Sequence, residues 1–166
     1  MERKILRITN KEEDLCLRKK TIPYDFAAHS LKETQAFVRS MREVMKRADG
    51  VGLSANQIGL PYRVFVAQVP DSQGAQKFYA VFNPEIVKRS KETEALEEGC
   101  LSVPNTFGSV DRHYRVTLTG FDARGKKLKI NAWGLLARVF QHEVDHLDGK
   151  VFVDKAKIVH EVGEDG

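Results

Sequence analysis

The sequence predicts an α+β fold in one domain, with antiparallel or mixed sheets packed around a long helix. Two amphipathic segments enclose a series of short strand-like runs, and the helices do not alternate with those strands. A length of 166 residues and an apolar content of 42% suit a single core, and no linker or repeat divides the chain. We therefore expect one domain over residues 1–166.

The first element is a helix predicted over residues 30–48. Ser30 and Glu33 match the S-x-x-E capping box, and Gly50 follows as a helix-ending glycine. Apolar side chains recur at three-and-four spacing and are expected in the core. They are Leu31, Phe37, Val38, Met41, Val44, Met45 and Ala48.

Strand-like runs follow, rich in β-branched and aromatic residues. They lie at residues 63–67, 78–82, 115–119 and 127–130. The sequence D-A-R-G at 122–125 joins the last two and is typical of a hairpin turn.

A second long helix is predicted from Asn131, acting as the N-cap, to just before Gly149. The tail after Asp154 is expected to form a short helix whose terminal GEDG sequence frays.

Composition excludes several classes of protein. Lys and Arg total 27 against 23 Asp and Glu, and the net charge of +4 is spread over the chain without the basic clusters of a dedicated nucleic-acid binder. Cys16 and Cys100 are expected to be reduced thiols rather than a disulfide, with Cys16 a small buried residue. The opening segment lacks a signal-peptide core, and no apolar run approaches the ~20 residues of a membrane span. An intracellular enzyme or binding module without DNA or membrane partners is expected.

The motif that carries chemistry is His142-Glu143-Val144-Asp145-His146, inside the second predicted helix. Two histidines at i and i+4 lie on one helix face, so both imidazoles can bind one metal ion. Glu143 then lies beside the open position of the metal, where a carboxylate accepts a proton from water that the metal has acidified. The simpler alternative is a solvated helix with two surface histidines.

Two histidines leave a catalytic metal site one protein ligand short. The extended H-x-x-G-x-x-H pattern fails, because Phe152 stands in the place of its third histidine. A tail glutamate, Glu161 or Glu164, stays open as the third ligand. Cys100 is the better candidate, since a thiolate also offsets part of the charge of the cation.

A glycine-rich segment, GVGLSANQIG, occupies residues 50–59. It is a poor phosphate loop, with neither a third glycine at the fingerprint spacing nor a Lys-Ser/Thr pair, and taken alone it predicts a turn. Near a hydrolytic metal, Gln57 becomes a donor to a negatively charged oxygen. The Leu101 N–H, next to Cys100, can act in the same way, and Gly99 permits close backbone approach.

These three segments together resemble the peptide deformylase family, whose signature is G-x-G-x-[AS]-A-x-Q, then E-G-C-L-S, then H-E-x-D-H. They stand here as GVGLSANQ, EGCLS and HEVDH, and the resemblance covers residues 50–152. It implies a metal-dependent amide hydrolase that removes the formyl group from the N-terminal formyl-methionine of newly made polypeptides and releases formate.

The resemblance also implies a role for each site residue. The metal ligands are Cys100, His142 and His146. The metal is natively Fe(II), with zinc, nickel or cobalt able to replace it. Glu143 takes a proton from the attacking water and delivers it to the departing amine, while Gln57 and the Leu101 N–H stabilise the oxyanion.

The methionine pocket of the family carries over to Val51, Leu96, Leu135, Val139 and the ring face of His142. Helix geometry supports Leu135 and Val139, which precede His142 by seven and three residues on the same face. The substrate backbone is expected to pair along the edge at Gly52 and near Gly99.

Arg138 departs from the family, which commonly has an apolar residue at that position. Because Arg138 lies four residues before His142, it falls on the active-site face. Its side chain is expected either to extend past the pocket rim into solvent or to narrow the pocket and favour an acidic or polar group on the substrate.

The residues alone leave two other classes open. One is another metallohydrolase, such as a peptidase, with a glutamate ligand in place of Cys100. The other is a binding module with a structural metal, which would take four protein ligands and leave Glu143 without a use. The partners that the resemblance implies are formylmethionyl nascent peptides. A transient association with the ribosome is left open, and a cytoplasmic monomer is expected.

Overall fold

The computed structural model describes residues 2–163. Within that range the helices are α1 (Lys11–Leu17), α2 (Leu31–Arg47) and α3 (Gly134–Leu147). The strands are β1 (Gly52–Ser54), β2 (Val64–Pro70), β3 (Gln76–Arg89), β4 (Thr93–Cys100), β5 (Val103–His113), β6 (Arg115–Phe121), β7 (Lys127–Trp133) and β8 (Val159–Glu161). They form two antiparallel sheets, ordered β1-β2-β3-β6-β7 and β4-β5-β8. This architecture confirms the α+β class.

Strand β2 lies between two helices, which explains its nearly continuous apolar sequence. Phe65 belongs to the cluster that packs against α3 through Phe140 and Val144. Val64 belongs to the cluster on the opposite face, which includes Met41 of α2. Because successive strand residues point to opposite faces, one strand fills both cores and fixes α3 against the larger sheet.

Helix α2 begins where the sequence predicts and ends differently. Ser30 Oγ accepts a hydrogen bond from Glu33 N at 3.1 Å, and Glu33 Oε2 accepts one from Ser30 N at 2.6 Å, which completes the capping box. Asp49, not Gly50, takes the left-handed conformation after the helix, with φ of 54°. A Cβ on Gly50 would lie 2.7 Å from Leu101 Cδ1, so any larger residue there would require the Leu101 side chain to shift.

The predicted hairpin joins β6 to β7. Asp122 Oδ1 accepts hydrogen bonds from Arg124 N at 2.9 Å and Lys126 N at 3.0 Å. Gly125 adopts a φ of 77°, a conformation that favours glycine. The side chain of the turn aspartate is therefore occupied by backbone amides.

The second long helix begins two residues later than predicted, with Trp133 as its N-cap and Gly134 as its first residue. Asn131 is not its N-cap but lies in β7, opposite Thr117, whose hydroxyl donates to it at 2.9 Å. Pairing with β6 continues to Trp133, so the ladder prevails over the capping propensity of asparagine. Gly134, with φ of 59°, turns the chain from strand to helix.

Both ends of the chain differ from expectation. Helix α1 was not predicted; Asn10 caps it by accepting hydrogen bonds from the next turn. Cys16 is exposed on α1 rather than buried. After Asp154 the chain forms β8 instead of a helix, because it pairs with β5. The last residues of the predicted frayed end, 164–166, lie outside the described residues.

None of the helices within residues 2–163 combines the length and apolar character that crossing a membrane requires.

Candidate metal centre and peptide pocket

Three side chains from two elements converge at the centre of the molecule. Helix α3 contributes His142 and His146, one turn apart, and β4 ends at Cys100. The histidine Nε2 atoms are 3.1 Å apart, and Cys100 Sγ lies 3.2 Å from His146 Nε2. The structure thus brings together the three residues predicted to bind a metal, with all candidate ligand atoms within 4.8 Å of one another.

The separation of these atoms fits a metal ion. Two nitrogens bound at about 2.0–2.1 Å to a tetrahedral ion lie about 3.3 Å apart, close to the observed histidine spacing. The group of nitrogen and sulfur donors contains no carboxylate. Glu161 lies in β8, away from the group, and Glu164 lies outside the described residues. The interpretation with Glu161 as ligand is therefore not supported.

The electrostatics also favour a cation at this position. Burial opposes protonation of His142, but the neighbouring Cys100 sulfur and Glu98 carboxylate outweigh it and raise the pKa of His142 to about 10. Burial, and the charge of His142, lower the pKa of His146 well below its usual value, so His146 is held neutral. A neutral imidazole beside groups that attract positive charge suits metal ligation.

Glu98 orients His142 through the ring nitrogen that faces away from the ligand cluster, a role that was not predicted from the sequence. Its Oε1 lies 2.8 Å from His142 Nδ1, which leaves Nε2 facing the ligand cluster. Arg112 donates to both oxygens of Glu98 at 2.9 Å and to Asp145 at 2.5 Å. Burial raises the pKa of Glu98, but Arg112 and His142 outweigh it and keep the pKa well below the usual range. The only sequence signal was the place of Glu98 in E-G-C-L-S.

Arg138 does not extend into solvent, which corrects the first of the two expectations for it, and its charged group is held by acceptors within the protein. Its side chain is buried, and its NH1 donates to Glu98 Oε2 at 2.6 Å and to the Val110 carbonyl at 2.9 Å. Its NH2 donates to the Glu94 carbonyl at 2.6 Å. Arg138 lines the pocket with its guanidinium group occupied by protein acceptors, because the buried Glu98 lies within its reach.

Glu143 faces the pocket from α3 and is 3% exposed. The Ser54 hydroxyl donates to its Oε2 at 2.7 Å and orients the carboxylate. Burial is the largest influence on its pKa and raises it above the ordinary value. Gly52 packs against this carboxylate so closely that a Cβ there would lie 2.5 Å from Glu143 Oε1. The glycine of the G-x-G segment is thus required by the position of Glu143.

Gln57 is buried with a fixed orientation. Its Oε1 accepts a hydrogen bond from Ser54 N at 2.9 Å, so its amide nitrogen points toward the end of β4. That nitrogen lies 3.1 Å from Ser102 Oγ and 3.7 Å from Cys100 Sγ. Leu101 lies in the turn after Cys100, and both Gln57 and Leu101 line the pocket.

The pocket has a volume of about 690 Å³ and lies between the edges of the two sheets. Strand β1, with Gly52, is an edge of the larger sheet, and β4, with Gly99, is an edge of the smaller one. The predicted substrate-binding residues that line the pocket are Val51, Gly52, Gly99, Leu135, Arg138 and Val139. Leu96 does not line it; this side chain is 46% exposed on β4.

A cysteine and two histidines beside a buried, oriented glutamate at a pocket define a metal-dependent hydrolase. The family model described as polypeptide deformylase matches residues 3–161. The chain belongs to the peptide deformylase family, and it is an enzyme that removes the N-formyl group from formylated nascent peptides.

Curated and solved relatives agree with this assignment. The peptide deformylase of Halothermothrix orenii is 41% identical over 152 residues, which cover 92% of each chain. A probable peptide deformylase from Synechococcus phage S-SSM7 superposes with a TM-score of 0.82 at 37% identity, over 92% of this chain and 99% of the phage chain. The Met-Ala-Ser-bound peptide deformylase of Acinetobacter baumannii gives 0.83 at 28% identity, over 93% and 98%.

Proposed function

We propose that Cys100, His142 and His146 hold one divalent cation, natively Fe(II), with zinc, nickel or cobalt as substitutes. The observation that carries the proposal is the convergence of three soft or borderline donor atoms within 4.8 Å at the base of the pocket. Three protein ligands leave a fourth position for reacting groups, as a catalytic site requires. A structural metal would need a fourth protein ligand.

A cation held by Cys100, His142 and His146 would lower the pKa of a water molecule and polarise the formyl carbonyl. Glu143 accepts the proton of that water as its oxygen adds to the formyl carbon. Glu143 then donates the proton to the amine nitrogen as the C–N bond breaks, so formate and a free amino terminus leave. Burial and the Ser54 hydroxyl suit the carboxylate to this double role, since they fix its position and raise its affinity for a proton.

Gln57 and Leu101 are the proposed donors to the oxyanion that develops on the formyl oxygen. The Gln57 amide is held by Ser54 N, so its NH2 group needs no reorganisation during the reaction. The Leu101 N–H belongs to the turn directly after the cysteine ligand. Loss of one such donor costs about 10²–10³ in kcat in comparable sites.

The formyl-methionine side chain is proposed to occupy the apolar side of the pocket, against Val51, Leu135 and Val139. Val51 and Leu135 are 53% and 55% exposed, which leaves apolar surface for a substrate to cover. The peptide backbone would pair with the edges at Gly52 and Gly99, a form of strand addition. The Acinetobacter baumannii relative bound to Met-Ala-Ser supports a substrate that begins with methionine.

The remaining expectations are proposals as well. We infer that residues 1–166 act as one catalytic domain, monomeric and cytoplasmic. The substrates are nascent peptides, so transient association with the ribosome fits the reaction. Neither DNA nor a membrane is a proposed partner.

The test is formate release from formyl-Met-Ala-Ser by protein prepared anaerobically with Fe(II), because a thiolate-ligated ferrous site is open to oxidation. Glu143→Gln should retain the metal by elemental analysis and lose about 10²–10⁴ in kcat. Cys100→Ser should lose tight metal binding. Full activity in Glu143→Gln would refute the proposed proton transfer, and undiminished metal content in Cys100→Ser would refute the ligand set.

A further inference from the structure

The outer face of the larger sheet is strongly basic at its β6–β7 end. Along β7, residues 127, 129, 131 and 133 are exposed, while the side chains between them face inward. Arg115 of β6 is exposed directly opposite Trp133. We define the basic face as Arg115, Arg124, Lys126, Lys127, Lys129 and Trp133.

This face accounts for the whole net charge of the protein, so the expectation that the surplus is spread over the chain is wrong. Residues 115–133 contain five cations and one acid, a surplus of four, which equals the +4 that 27 basic and 23 acidic residues give the chain. The rest of the chain therefore has 22 of each sign. The acid, Asp122, is occupied by backbone amides in the hairpin turn. Among residues 2–163, none of the five cations forms an ion pair.

The basic face lies apart from the catalytic site. None of its six residues lines the pocket. Val116 and Leu118, which alternate with the outward residues of β6, belong to the core cluster under α3. The face therefore looks away from the metal-binding helix, and neither the reaction nor the core explains its charge.

We propose that the basic face binds RNA, with the cations on its phosphates and Trp133 stacked on an unpaired base. Trp133 is 61% exposed, a conspicuous exposure for so large an apolar side chain. Strand β7 spans about 20 Å from Lys127 to Trp133, enough for several nucleotides. Flat sheets that combine exposed aromatic and cationic side chains are a recurring way to bind single-stranded RNA, because bases stack while phosphates are neutralised.

The charge pattern favours RNA over a lipid surface. A membrane-binding face needs several apolar side chains that enter the headgroup region. On the basic face the apolar member is Trp133 alone, at the far end of β7 from the charged turn. Ribosomal RNA and free RNA present the same phosphates and unpaired bases to this face, and the experiment below distinguishes them.

The test compares two triple charge reversals with equal change in net charge. Lys126→Glu, Lys127→Glu and Lys129→Glu alter the basic face, and the matched control reverses three exposed cations of α2. The control positions are Lys32, Arg39 and Lys46. Fluorescence anisotropy with a labelled 15-nucleotide single-stranded RNA of mixed sequence measures affinity between 50 and 200 mM salt.

Binding by the parent protein should fall with salt at a log–log slope of about −3, as expected for four to five phosphates on a single strand. The basic-face reversal should weaken binding at least about 30-fold and the control at most about 3-fold. Trp133→Ala should weaken it at least about fivefold. Replacing Lys126, Lys127 and Lys129 with glutamine, a milder change, should also weaken RNA binding more than the control reversal does.

Four results would overturn the proposal. The first is no RNA binding by the parent at 50 mM salt, and the second is equal weakening in both reversals, which would mean that net charge alone matters. The third is cosedimentation with ribosomes without affinity for RNA, which would assign the face to a protein. The fourth is tighter binding to vesicles of anionic phospholipid than to RNA.

Formate release should stay within about twofold in both reversals, so a failure of the proposed function is distinguished from a failure of RNA binding. Ribosome cosedimentation that RNA competes away would identify the ribosomal source.

Discussion

Replacing Arg138 with methionine tests whether the buried arginine supports the proposed metal site or selects the substrate. The change deletes a 2.6 Å ion pair with Glu98 and two hydrogen bonds to the carbonyls of Val110 and Glu94. Breaking a buried pair costs about 3–5 kcal/mol. Glu98 keeps both bonds from Arg112, so the lower end applies, and we expect a loss of about 3 kcal/mol.

A loss of this size should lower the thermal midpoint by about 6–12 °C, since 1 kcal/mol corresponds to about 2–4 °C in a chain of this size. The assay is thermal unfolding of the metal-loaded enzyme, with metal content checked before each scan. Arg39→Met, which removes an exposed cation of α2, is the matched control and should shift the midpoint by less than about 1 °C. Arg138→Lys should fall between the two, because it keeps the charge without the planar fork.

The same variant decides the question of specificity. Because protein acceptors occupy the Arg138 guanidinium, the ratio of kcat/KM for substrates with acidic and neutral second residues should stay within about twofold in Arg138→Met. An unchanged thermal midpoint would refute the energetic reasoning. A selective loss of activity on acidic substrates would show that Arg138 contacts the substrate after all.

Three further perturbations follow from the contacts described above. Gly52→Ala places a methyl group 2.5 Å from Glu143 Oε1 and should lower kcat about 100-fold at constant metal content. The control is Gly163→Ala, whose added methyl group has no atom within 4 Å, and it should change neither kcat nor metal content. Ser54→Ala frees the Glu143 carboxylate and should lower kcat about tenfold with little change in KM; a larger effect on KM would place Ser54 in substrate binding. The pKa of Glu33 is lowered, chiefly by the hydrogen bond that its carboxylate accepts from the Ser30 N–H at the start of α2. The charged carboxylate therefore stabilises the fold above the unfolded-state pKa, and this stabilisation is lost as pH falls through the folded-state pKa. The difference in urea-unfolding midpoint between the parent and Glu33→Gln should therefore be largest at neutral pH and should disappear in acid. A difference in midpoint that does not change with pH would contradict the stabilising role of the Glu33 charge.

Elements with local signals could be predicted from the sequence. The capping box at Ser30 and the turn at 122–125 act within a few residues, so α2 and the β6–β7 hairpin are where the pattern places them. Strand β4 was not predicted, because its sequence TEALEEGC is polar and its strand conformation comes from pairing with β5. The start of α3 was misplaced for the same reason, since β7 continues past Asn131 through its pairing with β6.

In the candidate site, too, the residues set by local spacing could be predicted and those set by long-range contacts could not. The histidine pair and Glu143 could be found because helical spacing alone puts them together. Arg112 could not, since it reaches Glu98 from 14 residues away in the sequence and shares a buried charge that sequence position does not reveal. The expectation that Arg138 extends into solvent failed because a buried acceptor outweighs the usual tendency of arginine to keep its charged group in water.

The buried charges explain how a strand and a helix hold the proposed metal ligands at fixed geometry. Glu98 precedes Cys100 by two residues in β4, while its carboxylate binds His142 of α3 at 2.8 Å. The proposed cysteine ligand and a proposed histidine ligand are thus joined through one side chain. Arg138, one helical turn before His142, donates to that same carboxylate and to carbonyls of β4 and β5, so it ties α3 to the smaller sheet. Because hydrogen bonds are directional and apolar packing is less so, this network constrains the distance between the proposed strand and helix ligands more tightly than packing alone would.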